Sequence, residues 1–287
     1  MARVLIAGCG YVGSALGGRL VAKGNQVWGL RRRPLGLPQG IQPIEADLSV
    51  ARTLEELPPR LDHVVYAVSP AGSDDALYRA AYVEGIARLL EALDRQGQRP
   101  RRVFFLSSTG VYAQSKGEWV DESSATEPTH FSGKRLLEGE KLLADSGFAG
   151  TVLRLGGIYG PRRTRLIERV RSGQATYRKG GPFYSNRIHR DDCAGALQHL
   201  MELEAPGSLY IGVDEEPAEE LAVLRWIAGA LGAPEPRLES KPIRGAGDRP
   251  RTNKRCRGDL LRESGYAFAY PTFREGYAAV IADLGLV

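Results

Sequence analysis

The sequence is poor in the residues that build disulfide frameworks and metal sites. It has three cysteines and four histidines in 287 residues. The cysteines are far apart and form no C-x-x-C motif, so we expect a reducing compartment and no disulfide framework. The histidines show neither metal-ligand spacing nor an H-E-x-x-H motif, so no metal site is predicted. These histidines are His63, His130, His189 and His199.

Long apolar runs are missing as well. No stretch approaches transmembrane length, and the chain enters an apolar segment directly after Ala2 without a signal-peptide pattern. We therefore expect a cytoplasmic protein with no membrane partner. The net charge of +5 is mildly basic, and no aromatic residues are interleaved with the basic stretch near the C-terminus, which argues against nucleic acid. A small anionic ligand accounts for the charge equally well.

A glycine-rich motif lies at the start of the chain. Arg3–Ala7 is an apolar run of strand length, GCGYVG follows as residues 8–13, and residues 14–23 carry apolar side chains at helical spacing. This context of strand, turn and helix is the one in which G-x-G-x-x-G binds a dinucleotide. Gly8 is expected to make the tight turn, Gly10 to admit the pyrophosphate and Gly13 to let the helix pack on the strand. Tyr11 and Val12, which stand between these last two glycines, are also candidate cofactor contacts.

The second predicted strand, Gln26–Leu30, lacks the acid that commonly ends it in NAD sites. Arg31, Arg32 and Arg33 follow it instead. A carboxylate holds the ribose hydroxyls of NAD, whereas guanidinium groups bind the 2′-phosphate of NADP. The sequence therefore favours NADP over NAD. The alternative is a solvated basic turn before Pro34.

The first half of the chain alternates strands with helices. Two long helices are predicted at residues 75–95 and 134–146, a polar loop at 113–131, and a glycine- and arginine-rich hairpin-like stretch at 177–189. The alternation predicts an α/β fold, a Rossmann-type doubly wound parallel sheet with a small C-terminal substrate lobe. We expect residues 1–160 to form the NAD(P)-binding domain, with 190–213 returning to it. The lobe would comprise residues 161–189 and 214–287.

Several motifs in one order carry a family resemblance. They are AGCGYVG, ADL, YAVSP, LSSTGVY, LRLGGIYGPRR, IHRDDCAGAL and YPTFREG. With them the chain resembles the extended short-chain dehydrogenase/reductases, the NAD(P)-dependent epimerase/dehydratase group, and especially its atypical members. The resemblance implies that Ala67 and Val68, in YAVSP, contact the cofactor. It also implies that Asp47, in ADL, holds the adenine amino group; a helix cap or turn is the alternative role for this acid.

The same resemblance points to catalytic positions. Ser108 stands three residues before the V-Y pair, where the family has its catalytic hydroxyl; satisfying the backbone at a strand end is its alternative role. Lys134 precedes its helix as the family's ribose-binding lysine does. Four residues earlier, where the family has a tyrosine as acid and base, this chain has His130. An imidazole can transfer protons near neutral pH, but a loop histidine is more often merely solvated.

A basic stretch, residues 241–257, is where the resemblance implies substrate contacts. Arg187, Arg251 and Arg255 are candidates to bind an anionic substrate, and a solvated loop is the alternative. One hypothesis is an enzyme that reduces, epimerises or dehydrates a sugar-like or carbonyl/hydroxyl substrate with NADP(H). The other is a non-catalytic NADP(H) sensor or scaffold, which the missing tyrosine favours. The family likeness of the two long helices also suggests a homodimer.

Overall fold

The computed structural model describes residues 1–239 and 252–286. Its strands are β1 Arg3–Ala7, β2 Gln26–Arg31, β3 Ile41–Glu45, β4 His63–Tyr66, β5 Arg102–Ser108, β6 Glu118–Val120, β7 Gly150–Leu155, β8 Gly157–Tyr159, β9 Thr176–Tyr177, β10 Tyr184–Ser185, β11 Arg187–His189, β12 Leu209–Gly212, β13 Ala218–Glu219, β14 Arg237–Leu238 and β15 Lys254–Cys256. Its helices are α1 Tyr11–Ala22, α2 Asp75–Arg79, α3 Gly85–Arg95, α4 Phe131–Asp145, α5 Arg165–Arg171, α6 Arg190–Glu202, α7 Glu220–Leu231, α8 Asp259–Glu263 and α9 Phe273–Asp283.

Seven strands form one central sheet. Their order is β3-β2-β1-β4-β5-β7-β12, and neighbouring strands are parallel throughout. The chain runs outward from β1 in both directions, so the order reverses between β1 and β4. Ligands of doubly wound sheets bind at this switch point, outside the carboxyl ends of the strands. The predicted Rossmann-type sheet is confirmed.

Apolar side chains are buried on both faces of the sheet. On one face Leu5, Tyr66 and Phe105 pack with Leu89 of α3 and Leu136 of α4. On the other face α1 and α6 cover side chains of β1, β4 and β5. Crossover helices cover both faces of the sheet and exclude water from both. The sequences of these strands are therefore continuous apolar runs, without the alternation of apolar and polar residues that a solvated face produces.

A third apolar cluster lies outside the sheet. It is built on α5, α7 and α9, with Ile167, Ile227 and Phe273 at 1% exposure or less. This cluster forms the core of the C-terminal lobe. The chain returns to the sheet between these helices, since β12 pairs with β7 and α6 lies against α1, where Arg19 donates to Gln198. The domain boundaries given above stay a prediction.

Two local predictions are wrong, and a third needs refinement. The stretch 177–189 is no hairpin, because β9 pairs with β14, β10 with β13 and β11 with β8. The predicted loop 113–131 contains β6, which pairs with β15. The predicted helix 75–95 has the bounds found in the structure, but its middle turn, Ala80–Glu84 between α2 and α3, is π-helical. No helix in the described ranges has both the length and the apolar character needed to cross a bilayer.

Candidate cofactor and active site

A cavity of about 670 Å³ lies along the carboxyl edge of the sheet. This volume is in the range of sites for drug-sized ligands and cofactors. The cavity runs from the glycine-rich loop and the ends of β2 and β3 to the ends of β5 and β7. Nine of the predicted cofactor residues line it: Gly8, Gly10, Tyr11, Val12, Arg31, Arg32, Asp47, Ala67 and Val68.

The glycine-rich loop is held against the end of β4. Gly8 has φ +79°, and a Cβ there would lie 2.7 Å from the backbone nitrogen of Val68. A Cβ on Gly13 would lie 2.8 Å from Cγ2 of Ile6, so Gly13 permits the packing of α1 on β1 and does not line the cavity. Gly10 caps α1 without any side-chain hydrogen bond. The free N–H groups of the first turn therefore suit a phosphate in the cavity.

Positive side chains line the cavity beyond this loop. Arg31 donates through Nη1 to the carbonyl oxygen of Cys9 at 3.4 Å, which holds its guanidinium beside the loop. Arg32 is exposed at the rim. Arg163, from the segment after β8, lies 4.2 Å from the ring centroid of Tyr11 and also lines the cavity. These groups make the adjoining wall attractive to phosphates.

Asp47 is the one acid among the described residues that line the cavity. Its Oδ1 accepts hydrogen bonds from the backbone nitrogen of Ser49 at 2.8 Å and from the Ser49 hydroxyl at 2.7 Å. These bonds lower the pKa of the Asp47 carboxyl, and the more distant charge of Arg32 adds to the effect. The turn-forming role anticipated for Asp47 is therefore present. Its contact with adenine stays a prediction.

The two serines at the end of β5 face different partners. The hydroxyl of Ser108 accepts from the backbone nitrogen of Gly110 at 3.1 Å, which caps the following turn. Ser107 lines the cavity and donates its hydroxyl hydrogen to Oε1 of Glu140 at 2.5 Å. Among the residues that the structure describes around the cavity, Ser107 is present and Ser108 is not. The catalytic role of Ser108 stays a prediction.

The N-terminus of α4 uses His130 as its cap. Nδ1 of His130 accepts from the backbone nitrogen of Ser132 at 3.3 Å, and the imidazole lies 4.0 Å from the Phe131 ring, centroid to centroid. Lys134 is exposed, whereas Ser132 and Leu136 are each 3% exposed on the inner face of the helix. Neither His130 nor Lys134 belongs to the described lining of the cavity. The catalytic roles of both residues stay predictions.

A buried ion pair supports the end of the cavity near β5. Arg154 of β7 donates from Nη2 to Oε2 of Glu140 at 2.6 Å, and from Nη1 to the hydroxyl of Tyr112 at 2.9 Å. The side chains of Arg154 and Glu140 are 8% and 10% exposed. Burial raises the pKa of Tyr112 to about 12, against the opposing charge of Arg154 and its hydrogen bond.

The arginines predicted to bind substrate have other contacts here. Arg187 donates to the hydroxyl and carbonyl oxygens of Ser185. The guanidinium of Arg255 lies 4.7 Å from the ring centroid of Trp119 and 4.8 Å from that of Tyr184. Tyr184 also lines a second cavity, of about 660 Å³. Arg251 lies outside the described residues, and substrate binding by all three stays a prediction.

Buried polar atoms without partners gather where the sheet meets the lobe. Asp214 is 2% exposed, and neither of its carboxylate oxygens accepts a hydrogen bond of good geometry from the described residues. Burial raises its pKa to about 8, and the charge of Arg187 and the nearby backbone N–H of Glu216 oppose this shift. The hydroxyl of Tyr159 and Nε2 of His189 are also buried without partners in the described ranges. Among the described residues, no group of three or more His, Cys, Asp or Glu side chains could hold a metal ion.

The sequence interpretation missed several residues that line the cavity, among them Arg163, Tyr82 and Ser107. Tyr82 lines the cavity from the π-helical turn, with its ring 6.4 Å from that of Phe105. A uniform helical pattern gives no sign of such a turn. Ser107 could have been noticed as the neighbour of Ser108, because successive side chains of a strand point to opposite faces.

Known proteins share this architecture. The sequence profile of the NAD dependent epimerase/dehydratase family matches residues 4–212. The chain belongs to this family. A Streptomyces protein named 3-diazoavenalumate denitrifying reductase is 33% identical over 261 residues, covering 82% of this chain and 83% of that protein. The family resemblance inferred from the motifs is thereby confirmed.

Solved structures agree with the family assignment. A candidate NAD-dependent epimerase/dehydratase from Methylobacillus flagellatus is 35% identical, with a TM-score of 0.81 and 99% of each chain covered. The human epimerase family protein SDR39U1, solved with NADPH, has a TM-score of 0.81 at 19% identity, covering 98% of this chain and 99% of its own. The latter likeness shows the fold alone. Together with the cavity, membership of a family named as NAD dependent supports a nicotinamide cofactor for the present protein.

Proposed function

We propose that the protein is an NADPH-dependent reductase that passes hydride to a small organic substrate at the β5 end of the cavity. The observation that carries this proposal is the placement of Arg31 and Arg32 in the cavity wall where β2 ends, with no acid at that strand end. A 2′-phosphate would find two guanidinium groups there. The Streptomyces relative is named as a reductase, which supports the transfer of electrons from NADPH to the substrate.

The chain's own residues supply binding and orientation. The first turn of α1 and Arg163 would hold the phosphates, and Asp47 would stand beside the adenosine. NADPH, when bound, supplies the hydride at its nicotinamide ring. The far end of the cavity is mostly apolar, with Leu106, Leu155 and Ile158 in its wall, and it would exclude water from the transfer.

The positions of the proton-transferring candidates bear on the proposed substrate class. Carbonyl reduction needs a proton at oxygen, yet His130 and Lys134 are outside the cavity. The diazo compound in the name of the Streptomyces relative suggests a different acceptor. An arenediazonium ion and one hydride give the arene and dinitrogen, so a C–N bond breaks, a C–H bond forms and no proton from the protein is consumed. We propose diazonium-type substrates alongside carbonyl compounds.

The test is NADPH oxidation, followed by absorbance, with aromatic carbonyl compounds and an arenediazonium salt offered separately. We expect turnover with the diazonium salt above the rate without protein, and less turnover with carbonyls. Arg31→Ala/Arg32→Ala should slow the reaction at low NADPH. Turnover with carbonyls alone would contradict the diazonium proposal. Oxidation no faster than in the protein-free control would contradict the reductase.

A non-catalytic NADPH-binding protein is the second candidate. It is favoured by the use of His130 as a helix cap and by the exposure of Lys134. Tight NADPH binding without oxidation of NADPH by any compound of the panel would support it.

A homodimer is kept as a proposal. Several apolar residues of α3 and α4 that suggested it, among them Ile86, Leu89, Leu136 and Leu143, are buried within one subunit. The core of one subunit therefore explains why these positions are apolar, and no partner subunit is needed to explain it. Light scattering would decide, because a monomer has a mass of 31.3 kDa.

A further inference from the structure

Ser107 lies at the boundary between the cavity and the helical layer that contains α4. It is 6% exposed and lines the cavity, and its hydroxyl donates to Oε1 of Glu140 at 2.5 Å. A hydroxyl carries one hydrogen and two lone pairs. Because the hydrogen is directed to a carboxylate, lone pairs remain for a ligand.

Arg154 fixes the carboxylate that takes this hydrogen. Nε of Arg154 donates to Oε1 of Glu140 at 3.1 Å, and Nη2 donates to Oε2 at 2.6 Å. A carboxylate held at both oxygens cannot turn away from Ser107. Charge-assisted bonds of this length are the stronger kind, so reversing the Ser107 hydroxyl would cost one of them.

The far side of Arg154 is fixed as well. Its Nη1 donates to the hydroxyl of Tyr112, which is fully buried, and its guanidinium carbon lies 5.1 Å from the Tyr112 ring centroid. The backbone carbonyl of Tyr112 accepts from Nζ of Lys254 at 3.0 Å. The network therefore ties β5, α4, β7 and β15 together and leaves Ser107 as its member at the cavity wall.

We propose that Ser107 presents an acceptor-only hydroxyl to the cavity, and that Glu140 and Arg154 are the residues that position it. The ligand group opposite Ser107 must then be a hydrogen-bond donor. In an NADPH site such donors are the hydroxyls and amide N–H of the nicotinamide nucleoside, or an O–H or N–H of the substrate. This inference rests on the proposed function, since it takes NADPH as the cofactor.

The test compares two nucleotides in binding titrations without substrate. NADPH carries the nicotinamide nucleoside, and 2′,5′-ADP lacks it but keeps the adenosine and the 2′-phosphate. We expect Ser107→Ala to weaken NADPH binding about five-fold, as for one lost hydrogen bond, and to leave 2′,5′-ADP binding unchanged. Ser107→Thr, which keeps a hydroxyl, should restore most of the NADPH affinity.

A second arm locates the donor if the NADPH affinity of Ser107→Ala is unchanged. A raised KM for the substrate, reversed in Ser107→Thr, would place the donor on the substrate and support an acceptor hydroxyl. Unchanged NADPH affinity together with unchanged KM and kcat would overturn the proposal. If the wild-type protein bound neither nucleotide, the proposed function would fail instead.

Glu140→Gln tests the positioning role, with Glu138→Gln as the matched control. Glu138 is on the same helix, and its side chain is 41% exposed. We expect Glu140→Gln to weaken NADPH but not 2′,5′-ADP, and Glu138→Gln to weaken neither. Wild-type NADPH affinity in a folded Glu140→Gln protein would overturn the role of Glu140. If the melting curve of Glu140→Gln shows that this variant does not fold, the same two nucleotides are titrated against Arg154→Lys instead. This substitution keeps the positive charge but removes the paired donation of the guanidinium group to the two oxygens of Glu140.

Discussion

The carboxyl edge of the sheet has two halves that are built differently. The glycine-loop half, at the ends of β1 to β3, takes its groups from short stretches: residues 8–13, Arg31 with Arg32, and Asp47. The β5–β12 half, at the ends of β5, β7 and β12, depends on Ser107, α4 and Asp214, which are far apart in the sequence. In the first half local backbone geometry places the groups, and in the second half packing between distant segments does.

Helix phase shows how sensitive the β5–β12 half is. Successive residues of an α-helix are rotated by 100°, so Lys134 and Leu136 point about 200° apart. Lys134 is exposed, and Leu136 is buried against the sheet. A two-residue difference between a motif and the helix it is placed on therefore moves a side chain from the sheet-facing side of the helix to solvent.

The largest expected effect is at the glycine-loop half. Gly8→Ala should lower the free energy of unfolding by about 3 kcal/mol, because a Cβ at φ +79° is strained and would overlap the backbone at Val68. Gly18→Ala is the control, since a Cβ there meets nothing within 4 Å, and it should raise stability by about 1 kcal/mol. Urea unfolding of both variants checks this. Equal midpoints would show that the loop is not held as described.

Most of the glycine-loop half was predictable from the sequence. The spacing of Gly8, Gly10 and Gly13 after an apolar run encodes both the turn and the helix start. The basic residues at the carboxyl end of β2 reach the cavity because that strand ends there. The glycines and these arginines all lie within residues 8–32, so short-range sequence places them together at one end of the cavity.

The β5–β12 half was less predictable, for two physical reasons. Strands β6, β8, β11 and β15 have three residues each and pair with distant partners, so no periodicity marks them. The bond between Ser107 and Glu140 joins residues 33 positions apart and depends on the rotation of α4. The capping role of His130 was missed because a histidine at a helix start is not among the usual caps.

The second effect concerns Asp214. Its folded pKa of about 8 exceeds the value near 4 of an unfolded aspartate, so the folded protein binds this proton more tightly. The resulting stability is complete below pH 4 and is lost as the pH rises toward 8. Asp214→Asn has no titrating carboxyl group at this position, so its stability should not fall in this way as the pH rises. The stability of the variant relative to the wild type should grow by about 2 kcal/mol between pH 6 and pH 8.

Asp192→Asn is the matched control for that experiment. Both oxygens of Asp192 accept hydrogen bonds, from the Tyr266 hydroxyl and from the backbone nitrogens of Ala269 and Tyr270. An amide N–H₂ would face a donor there, so this variant should lose about 2 kcal/mol. Thermal melts at several pH values provide the measurement. A constant difference between Asp214→Asn and the wild type from pH 6 to pH 8 would contradict a neutral buried Asp214.

The third effect returns to the glycine-loop half. Arg31→Ala/Arg32→Ala should weaken NADPH binding by about 2 kcal/mol, roughly thirty-fold, and leave NADH binding nearly unchanged. Arg33→Ala is the control, because Arg33 is exposed and lies outside the described cavity lining. Fluorescence titration with both cofactors gives the affinities. Parallel losses for NADPH and NADH would mean that the arginines do not recognise the 2′-phosphate.

The smallest effect separates the two roles of His130. As the cap of α4 it accepts from the backbone nitrogen of Ser132, so His130→Ala should cost about 1 kcal/mol of unfolding free energy. His130→Asn supplies another acceptor at the same place and should keep the stability. Since the imidazole is outside the described lining of the cavity, the asparagine variant should also keep the rate of NADPH oxidation and its pH profile. If that variant folds normally but its rate falls at every pH, His130 transfers the proton after all, and the β5–β12 half must close further around a bound ligand than the free protein shows.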